Sequence, residues 1–165
     1  MIRVLVIDDS AVMRSFLGRV VAQQPDMELA GVASDPLLAI DRIRPDPAHV
    51  ITLDVGMPRM KGLHFLGRLM AVRPLPVVMV SSLTQQGAET TLRALELGAV
   101  DFFPKPASLQ ELDAAGPDIA EKIRGAAQAR VGRRGTTAPD VVPVPLRPAG
   151  IGSAVMCSPG AIVGI

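Results

Sequence analysis

The sequence contains no tryptophan and no tyrosine, and aromatic residues make up only 2% of it. A hydrophobic core built from this composition must be aliphatic, and base stacking on aromatic side chains is not indicated. The single cysteine, Cys157, can form neither an internal disulfide nor, alone, a thiolate metal site. We therefore expect a protein of a reducing compartment, the cytoplasm.

Excess charge and long apolar runs are also missing. The 17 Lys and Arg residues nearly balance the 16 Asp and Glu residues, so the net charge is +1. Such a balance gives no general electrostatic reason to bind nucleic acid or an anionic membrane. No apolar run approaches the roughly 18 residues of a membrane helix, and the first run meets acidic residues at once. We expect neither export nor membrane insertion, and no nucleic-acid partner.

What the sequence does contain is a regular alternation of short apolar runs with segments in which apolar residues recur at helical spacing. The runs predict five strands, at 3–7, 29–33, 49–53, 76–80 and 100–103, each followed by a helical segment. Ser10 is predicted to cap the first helix, Pro36 to open the second, and Gly98 to end the fourth. The last helical segment, 109–130, is predicted to be interrupted or kinked at Gly116-Pro117.

Alternating strands and helices with short connections require a parallel sheet covered on both faces, because parallel neighbours need right-handed crossovers. We predict a doubly wound α/β domain, for which the common order of five strands is 2-1-3-4-5. Its topological switch point lies between the first and third strands, where ligands bind in open sheets. A chain of 165 residues holds this domain and a tail but is short for two full domains.

Polar side chains stand at the carboxyl ends of four of the five predicted strands. Asp8 and Asp9 follow the first strand, Asp54 the third, Ser81 the fourth and Lys105 the fifth. Taken singly, each has an ordinary explanation as a turn residue, a helix cap or a surface lysine. Together they place three carboxylates at one edge of the sheet, where close like charges need a cation or a proton. Oxygen ligands favour a hard ion such as Mg²⁺, and the hydroxyl and ammonium suit an adjacent phosphate.

The Asp8-Asp9 pair, Asp54, Ser81 and the Lys105-Pro106 pair resemble the receiver domain of two-component response regulators, over about residues 1–125. The resemblance implies a flavodoxin-like receiver fold in which Asp54 is the phosphoacceptor for a histidine kinase. It implies further that Ser81 and Lys105 contact the phosphoryl oxygens and that the Lys105–Pro106 peptide is cis.

The same resemblance implies a metal site and a conformational switch. Mg²⁺ is the implied cofactor, and its ligands would be Asp9, Asp54 and the backbone carbonyl of Gly56, with Asp8 acting through water. The implied switch residues are Ser81 and Phe102. Of Phe102 and its neighbour Phe103, at least one is expected in the core.

Three segments further resemble the amino-terminal half of the chemotaxis protein-glutamate methylesterases: 6–14, 54–60 and 101–106. That resemblance implies a receiver domain at 1–125, a flexible linker at 126–160 and, at 161–165, the start of a methylesterase effector domain. Since the chain ends before the family's nucleophilic serine, we expect it to catalyse only its own phosphorylation and dephosphorylation. The implied partners are a chemotaxis-type histidine kinase, the methylesterase effector domain and chemoreceptors.

Two positions depart from the methylesterase pattern. Gly56 stands where these proteins usually carry Glu, and Lys61 stands before Gly62 where their turn usually reads Met-Asp-Gly. We expect the missing side chain at position 56 to change how water reaches phospho-Asp54, and hence the lifetime of the phosphoryl group.

Two other functions are compatible with parts of the pattern. A stand-alone receiver would act as a phosphorylation-dependent protein-binding module. A flavodoxin-like nucleotide or flavin binder shares the fold class, but it needs a Gly-rich phosphate loop after the first strand, where this chain has acids. His49 and His64 are interpreted as structural or solvated residues rather than phosphoryl relays.

Overall fold

The structure, a computed structural model, describes residues 1–43, 48–57, 61–82 and 84–131. In these residues strands and helices alternate strictly along the chain, as the hydrophobic pattern predicts. The elements are β1 (Ile2–Ile7), α1 (Ala11–Ala22), β2 (Met27–Ala33), α2 (Pro36–Ile43), β3 (Val50–Asp54), α3 (Lys61–Val72), β4 (Val77–Ser81), α4 (Gln85–Leu97), β5 (Asp101–Pro104) and α5 (Leu109–Ala127).

The five strands form one parallel sheet in the order β2-β1-β3-β4-β5. This confirms the predicted doubly wound α/β fold with its order 2-1-3-4-5. The switch point falls between β1 and β3, which pair in register from Val4 opposite Val50 to Ile7 opposite Leu53. Every residue of β3 and β4 is buried, as expected for central strands of a sheet covered on both faces.

A largely aliphatic core, with three phenylalanines, fills both faces of the sheet, because successive side chains of a strand point to opposite sides. On one face the valines of the central strands pack against α1 and α5, which contribute Phe16, Leu17, Ile119 and Ile123. On the other face Leu5, Ile51 and Leu53 pack against α3, through Phe65 and Leu66. Each such burial contributes about 1.5–3 kcal/mol. The two layers therefore hold the carboxyl ends of β1, β3 and β4 in fixed relative positions.

Helix termini carry the capping residues that the sequence indicates. Ser10 accepts a hydrogen bond from the Met13 amide at 3.4 Å, which confirms it as the cap of α1. Pro36 is the first residue of α2, and Gly98 ends α4 with a φ of 120°, a conformation that favours glycine. Thr84 and Ser108 cap α4 and α5 in the same way. A side-chain cap of this kind contributes about 1 kcal/mol.

The predicted element boundaries differ from the structure in several places. β3 and β4 run one residue further than predicted, to Asp54 and Ser81, because these residues pair with Val80 and Pro104 in the sheet. Asp54 and Ser81 thus belong to the strands themselves rather than to the loops after them.

The last helix is not interrupted, because α5 is one continuous element that contains Pro117. The kink at Gly116-Pro117, which the sequence also allowed, stays a prediction. Leu112 before the proline and Ile119 and Ile123 after it are buried against the sheet, and this packing holds the helix across the missing amide donor. Since α5 ends at Ala127, the first two residues of the predicted linker are helical. The rest of that linker from 132 on, and the predicted effector segment 161–165, lie outside the described residues.

Among the residues described here, no helix has the length and apolar character needed to cross a membrane.

Candidate functional site

Three carboxylates meet at the carboxyl ends of β1 and β3. One oxygen from each of Asp8, Asp9 and Asp54 lies within 4.8 Å of the others. Asp8 and Asp54 are buried, at 0% and 2% exposure, whereas Asp9 is exposed. The predicted convergence at the switch point is therefore present, and we call these three residues the acidic cluster.

Both carboxylate oxygens of Asp54 have defined partners. Its Oδ1 atom accepts a hydrogen bond from the Gly56 amide at 2.7 Å, and its Oδ2 atom accepts one from Nζ of Lys105 at 3.2 Å. The backbone just after it is fixed by a bond from the Val55 amide to the Val80 carbonyl at 3.0 Å. Asp54 is thus an oriented carboxylate whose strand cannot shift without breaking the sheet.

Asp8 carries the least satisfied charge of the cluster. Its Oδ1 atom accepts a bond from the Ser10 amide at 2.8 Å and lies 3.7 Å from Nζ of Lys105. Its Oδ2 atom is buried without a hydrogen-bond partner. Burial, and then the charge of Asp54, raise the pKa of Asp8 to about 6, although the Ser10 amide and Lys105 oppose the rise.

The acidic cluster fits a hard divalent cation. An orphaned buried carboxylate oxygen beside two further carboxylates is an arrangement that a cation would satisfy, and all three residues offer the oxygen ligands that Mg²⁺ prefers. Asp8, Asp9 and Asp54 are the residues that would hold it. The role of the Gly56 carbonyl as a ligand stays a prediction.

Lys105 lies against the cluster and supplies its positive charge. Its Nζ atom is 3.2 Å from Asp54 and 3.7 Å from Asp8, and its backbone amide donates to the Ser81 carbonyl. Burial alone would lower the pKa of Lys105, but the carboxylates of Asp8 and Asp54 raise it above its ordinary value. The ammonium group therefore stays charged at neutral pH.

The prediction of a cis peptide bond between Lys105 and Pro106 is wrong for this structure. The described residues contain no cis peptide bond, so this bond is trans. The trans isomer of such a bond is favoured by about 0.5–1 kcal/mol when nothing else selects the cis form.

Ser81 ends β4 at the same edge of the sheet, and the partners of its hydroxyl lie in α4 and in the residue that follows it. It bonds to the Ser82 and Gly87 carbonyls at 3.2 Å and to the Thr91 hydroxyl at 2.7 Å. Sequence reasoning missed Thr91 and Gly87. The available signal was that residues 87, 91 and 94 recur at helical spacing and so share the buried face of α4.

The two adjacent phenylalanines of β5 have opposite environments. Phe103 is buried in the core, which confirms that at least one of them belongs there, while Phe102 is 42% exposed. Nζ of Lys122 lies 5.8 Å from the centre of the Phe102 ring and forms an ion pair with Asp101 at 3.3 Å. Sequence reasoning did not find the ion pair between Asp101 and Lys122, which lie 21 positions apart along the chain.

The two histidines lie outside the acidic cluster. Nδ1 of His49 accepts a bond from the Arg3 amide at 3.1 Å, and His64 is exposed on α3, where it lines an apolar cavity of about 380 Å³. Both positions agree with structural or solvated roles. The side chain of Lys61, the second departure from the methylesterase pattern, lies outside what the structure describes.

Comparison with known proteins gives the same family as the geometry. The model of the response regulator receiver domain matches residues 4–116. Protein-glutamate methylesterase/protein-glutamine glutaminase of Pectobacterium atrosepticum is 56% identical over 139 residues, which are 83% of this chain and 40% of the relative. A protein of the same name from Cupriavidus metallidurans is 53% identical over 87% of this chain and 41% of its own. The chain thus spans about two fifths of the length of these curated relatives.

Solved structures agree with this assignment. The response regulator domain of Thermotoga maritima CheB matches with a TM-score of 0.71 and 44% identity, over 79% of this chain and 98% of its own. A chain in the complex of the CheA3 P1 domain with CheY6 from R. sphaeroides matches with a TM-score of 0.64 and 29% identity, over 78% and 98% of the two chains. Since the family model covers well over half of its residues, the chain belongs to the response regulator receiver domains, and its receiver region is of the CheB type.

Proposed function

We propose that this chain is the phosphoacceptor receiver domain of a chemotaxis response regulator and that phosphorylation of Asp54 controls a protein-glutamate methylesterase effector. The observation that carries the proposal is the Asp54 carboxylate, buried and oriented between two further acids and the ammonium of Lys105. A nucleophile, a cation site and a positive charge for a transferred anion are the parts that phosphoryl transfer to a carboxylate requires. The names of the relatives supply the methylesterase part of the proposal.

In the proposed reaction a carboxylate oxygen of Asp54 attacks the phosphorus atom of a phosphohistidine or of a small acyl phosphate. A P–O bond to Asp54 forms as the P–N or P–O bond to the donor breaks, and the donor leaves with the electron pair. Lys105 already contacts Oδ2 of Asp54, so its ammonium is in place to neutralise charge that develops on the phosphoryl oxygens. When bound at the acidic cluster, Mg²⁺ supplies the remaining charge neutralisation.

After transfer, the acyl phosphate adds negative charge at a site that Lys105 and Ser81 border. Lys105 then has a phosphoryl group to bind in place of the free carboxylate. The Ser81 hydroxyl reaches that group only by turning away from its present partners on α4. The phosphorylated domain therefore differs from the resting one at the start of α4, which makes it a two-state element biased by a local charge change.

The lifetime of the phosphoryl group depends on position 56. Gly56 is exposed, and a Cβ atom there would lie 3.2 Å from Oδ1 of Asp54. A side chain at this position therefore stands directly beside the phosphoryl group and occupies space that water can use. Gly56→Glu is expected to change the rate at which phospho-Asp54 decays, and equal decay rates in the two proteins would remove this part of the proposal.

The proposed partners come from the relatives. In one matched structure the receiver-like protein is crystallised with the P1 domain of CheA3, and we take a chemotaxis-type histidine kinase as the phosphoryl donor. The methylesterase effector domain and the chemoreceptors are proposed partners of the full-length protein, in the cytoplasm. The proposed domain order is a receiver to about residue 125, a linker to 160 and the start of the effector at 161–165.

The proposal is tested by intact-protein mass spectrometry after incubation with acetyl phosphate and Mg²⁺. The wild-type chain should gain one phosphoryl group, and Asp54→Ala should gain none. Asp118→Ala, which removes an exposed carboxylate of α5, is the matched control and should be phosphorylated normally. Lys105→Met should slow the transfer by about 10²-fold, because one positive charge is lost at the developing anion. A phosphoryl adduct that persists in Asp54→Ala would show that the acceptor is another residue.

The stand-alone alternative, a phosphorylation-dependent protein-binding module, shares this chemistry. The two functions predict different codons after that of Ile165. A reading frame that continues to the nucleophilic serine of the esterases supports the methylesterase, and a stop codon supports the binding module.

A further inference from the structure

Helix α4 and the loop before it hold the hydroxyl of Ser81. Its Oγ atom lies 2.7 Å from Oγ1 of Thr91, 3.2 Å from the Gly87 carbonyl and 3.2 Å from the Ser82 carbonyl. Ser81 and Thr91 are nearly fully buried, at 5% and 4% exposure. Water therefore competes poorly for these groups, and a hydrogen bond between them retains more of its strength than one at the surface.

Thr91 has a second partner that does not depend on Ser81. Its hydroxyl also lies 2.8 Å from the Gly87 carbonyl, one turn earlier in the same helix. When Ser81 turns away, Thr91 can still donate to this carbonyl. Because the Thr91 hydroxyl has one proton, the resting arrangement shares that proton between Ser81 and Gly87, and only the contact with Ser81 is lost when Ser81 turns away.

The first turn of α4 offers little room to follow Ser81. A Cβ atom on Gly87 would lie 2.4 Å from the Ser82 carbonyl oxygen, so helix and loop are in direct backbone contact. The Gly87 amide in turn donates to the capping hydroxyl of Thr84 at 3.0 Å. The partners of Ser81 therefore sit on a closely packed frame.

We propose that Thr91 is a positioning residue that holds the Ser81 hydroxyl against α4 and thereby sets how readily Ser81 engages the phosphoryl group. This inference rests on the proposed function, in which Asp54 carries that group. The Ser81 hydroxyl donates to the Ser82 and Gly87 carbonyls and accepts from Thr91, so turning it towards a phosphoryl oxygen ends both its donation to these carbonyls and its contact with Thr91. The Ser81–Thr91 bond is then part of the free-energy difference between the resting and engaged states, and removing it favours engagement.

The test compares beryllofluoride binding, as a phosphoryl mimic, by isothermal titration calorimetry of the full chain with saturating Mg²⁺. Thr91→Val keeps the shape of the side chain and removes its hydroxyl. It should bind beryllofluoride about fivefold more tightly than wild type, the factor that one neutral hydrogen bond supplies. Thr91→Ser keeps the hydroxyl and should bind as wild type does.

The matched control is the neighbouring Thr90, whose hydroxyl bonds to the Gln86 carbonyl at 2.8 Å in the same helix geometry without reaching Ser81. Thr90→Val should leave beryllofluoride affinity unchanged. In a Ser81→Ala background, Thr91→Val should have no further effect, because the group it positions is gone. Mg²⁺ affinity, measured separately, should be the same in all these variants. A general disturbance of the site would change it.

A Thr91→Val affinity that equals the wild-type value, or one that is weaker, would overturn the inference. Tightening that persists in the Ser81→Ala background would also overturn it, since the effect would not pass through Ser81. If Thr91→Val does not fold, Thr91→Ala serves the same comparison. Beryllofluoride binding that is absent from wild type or retained in Asp54→Asn would instead refute the proposed function, and the inference with it.

Discussion

Replacing Asp8 by Asn should stabilise the metal-free domain near neutral pH. The carboxylate is fully buried and one of its oxygens has no partner. Its pKa of about 6 against an ordinary 3.8 corresponds to about 3 kcal/mol at 1.36 kcal/mol per pKa unit. Asn keeps the oxygen that accepts from the Ser10 amide and removes the charge. We therefore expect the free energy of unfolding to rise by about 2–3 kcal/mol and the melting temperature by roughly 6–12 °C.

The pH dependence gives this prediction its sign. Between 3.8 and about 6 the folded state holds a proton on Asp8 that the unfolded state has released, so wild-type stability falls as the pH rises through this interval. The full loss of wild-type stability caused by the Asp8 charge is present above about pH 6 and absent below pH 3.8. The difference between Asp8→Asn and wild type should accordingly be large near neutral pH and vanish in acid.

The assay is urea unfolding with a chelator present, followed by far-ultraviolet circular dichroism because the chain has no Trp or Tyr. Asp9→Asn, which neutralises the exposed member of the cluster, should change stability by less than about 0.5 kcal/mol. Excess Mg²⁺ should reduce the stability difference between Asp8→Asn and wild type, since the cation stabilises the intact acidic cluster more than the substituted one. Asp8→Asn that is less stable than wild type near neutral pH without metal would refute the reasoning.

Three further predictions concern the helices, a surface ion pair and the cation. Gly62→Ala should destabilise the domain by roughly 1–3 kcal/mol, because its Cβ would lie 2.9 Å from the Asp54 carbonyl oxygen. Gly67→Ala, whose Cβ would meet nothing within 4 Å, should stabilise the domain by about 0.5–1 kcal/mol. Thermal unfolding checks both substitutions. Asp26→Asn should lower stability at neutral pH, because the hydrogen bond from Arg124 lowers the pKa of Asp26. In the same unfolding assay, the stability difference between wild type and Asp26→Asn should disappear as the pH falls below 3.8. Mg²⁺ affinity, measured by calorimetry, should fall as the pH drops through about 6, because the cation must then displace a proton from the acidic cluster. An affinity that does not change with pH across that interval would contradict this prediction.

The sequence predicts the sheet and the gathering of the site, because both arise from short-range patterns. Apolar runs separated by helical periodicity require a parallel sheet, and a parallel sheet brings the ends of its strands to one edge. Asp8 and Asp54 therefore meet although they lie 46 positions apart in the sequence. Lys105 joins them for the same reason.

Details that depend on side-chain rotamers and long-range packing cannot be predicted from such patterns. The hydroxyl of Ser81 turns towards Thr91, which no spacing rule for the strand ends contains. Pro117 lies within a continuous helix because core contacts on both sides outweigh its missing donor. The contact of Lys122 with the Phe102 ring and with Asp101 joins α5 to β5, and the local sequence pattern does not encode it.

The central position of β3 has a consequence for local stability. Asp54 ends a strand that is buried along its whole length and paired on both sides, so its backbone amides should exchange with solvent only when the whole domain unfolds. The start of α4, reached through a short loop, should exchange by smaller openings. In the proposed function the phosphoryl group is therefore attached to the slowest-exchanging part of the molecule, whereas the Ser81 hydroxyl, which responds to it, contacts a faster-exchanging part.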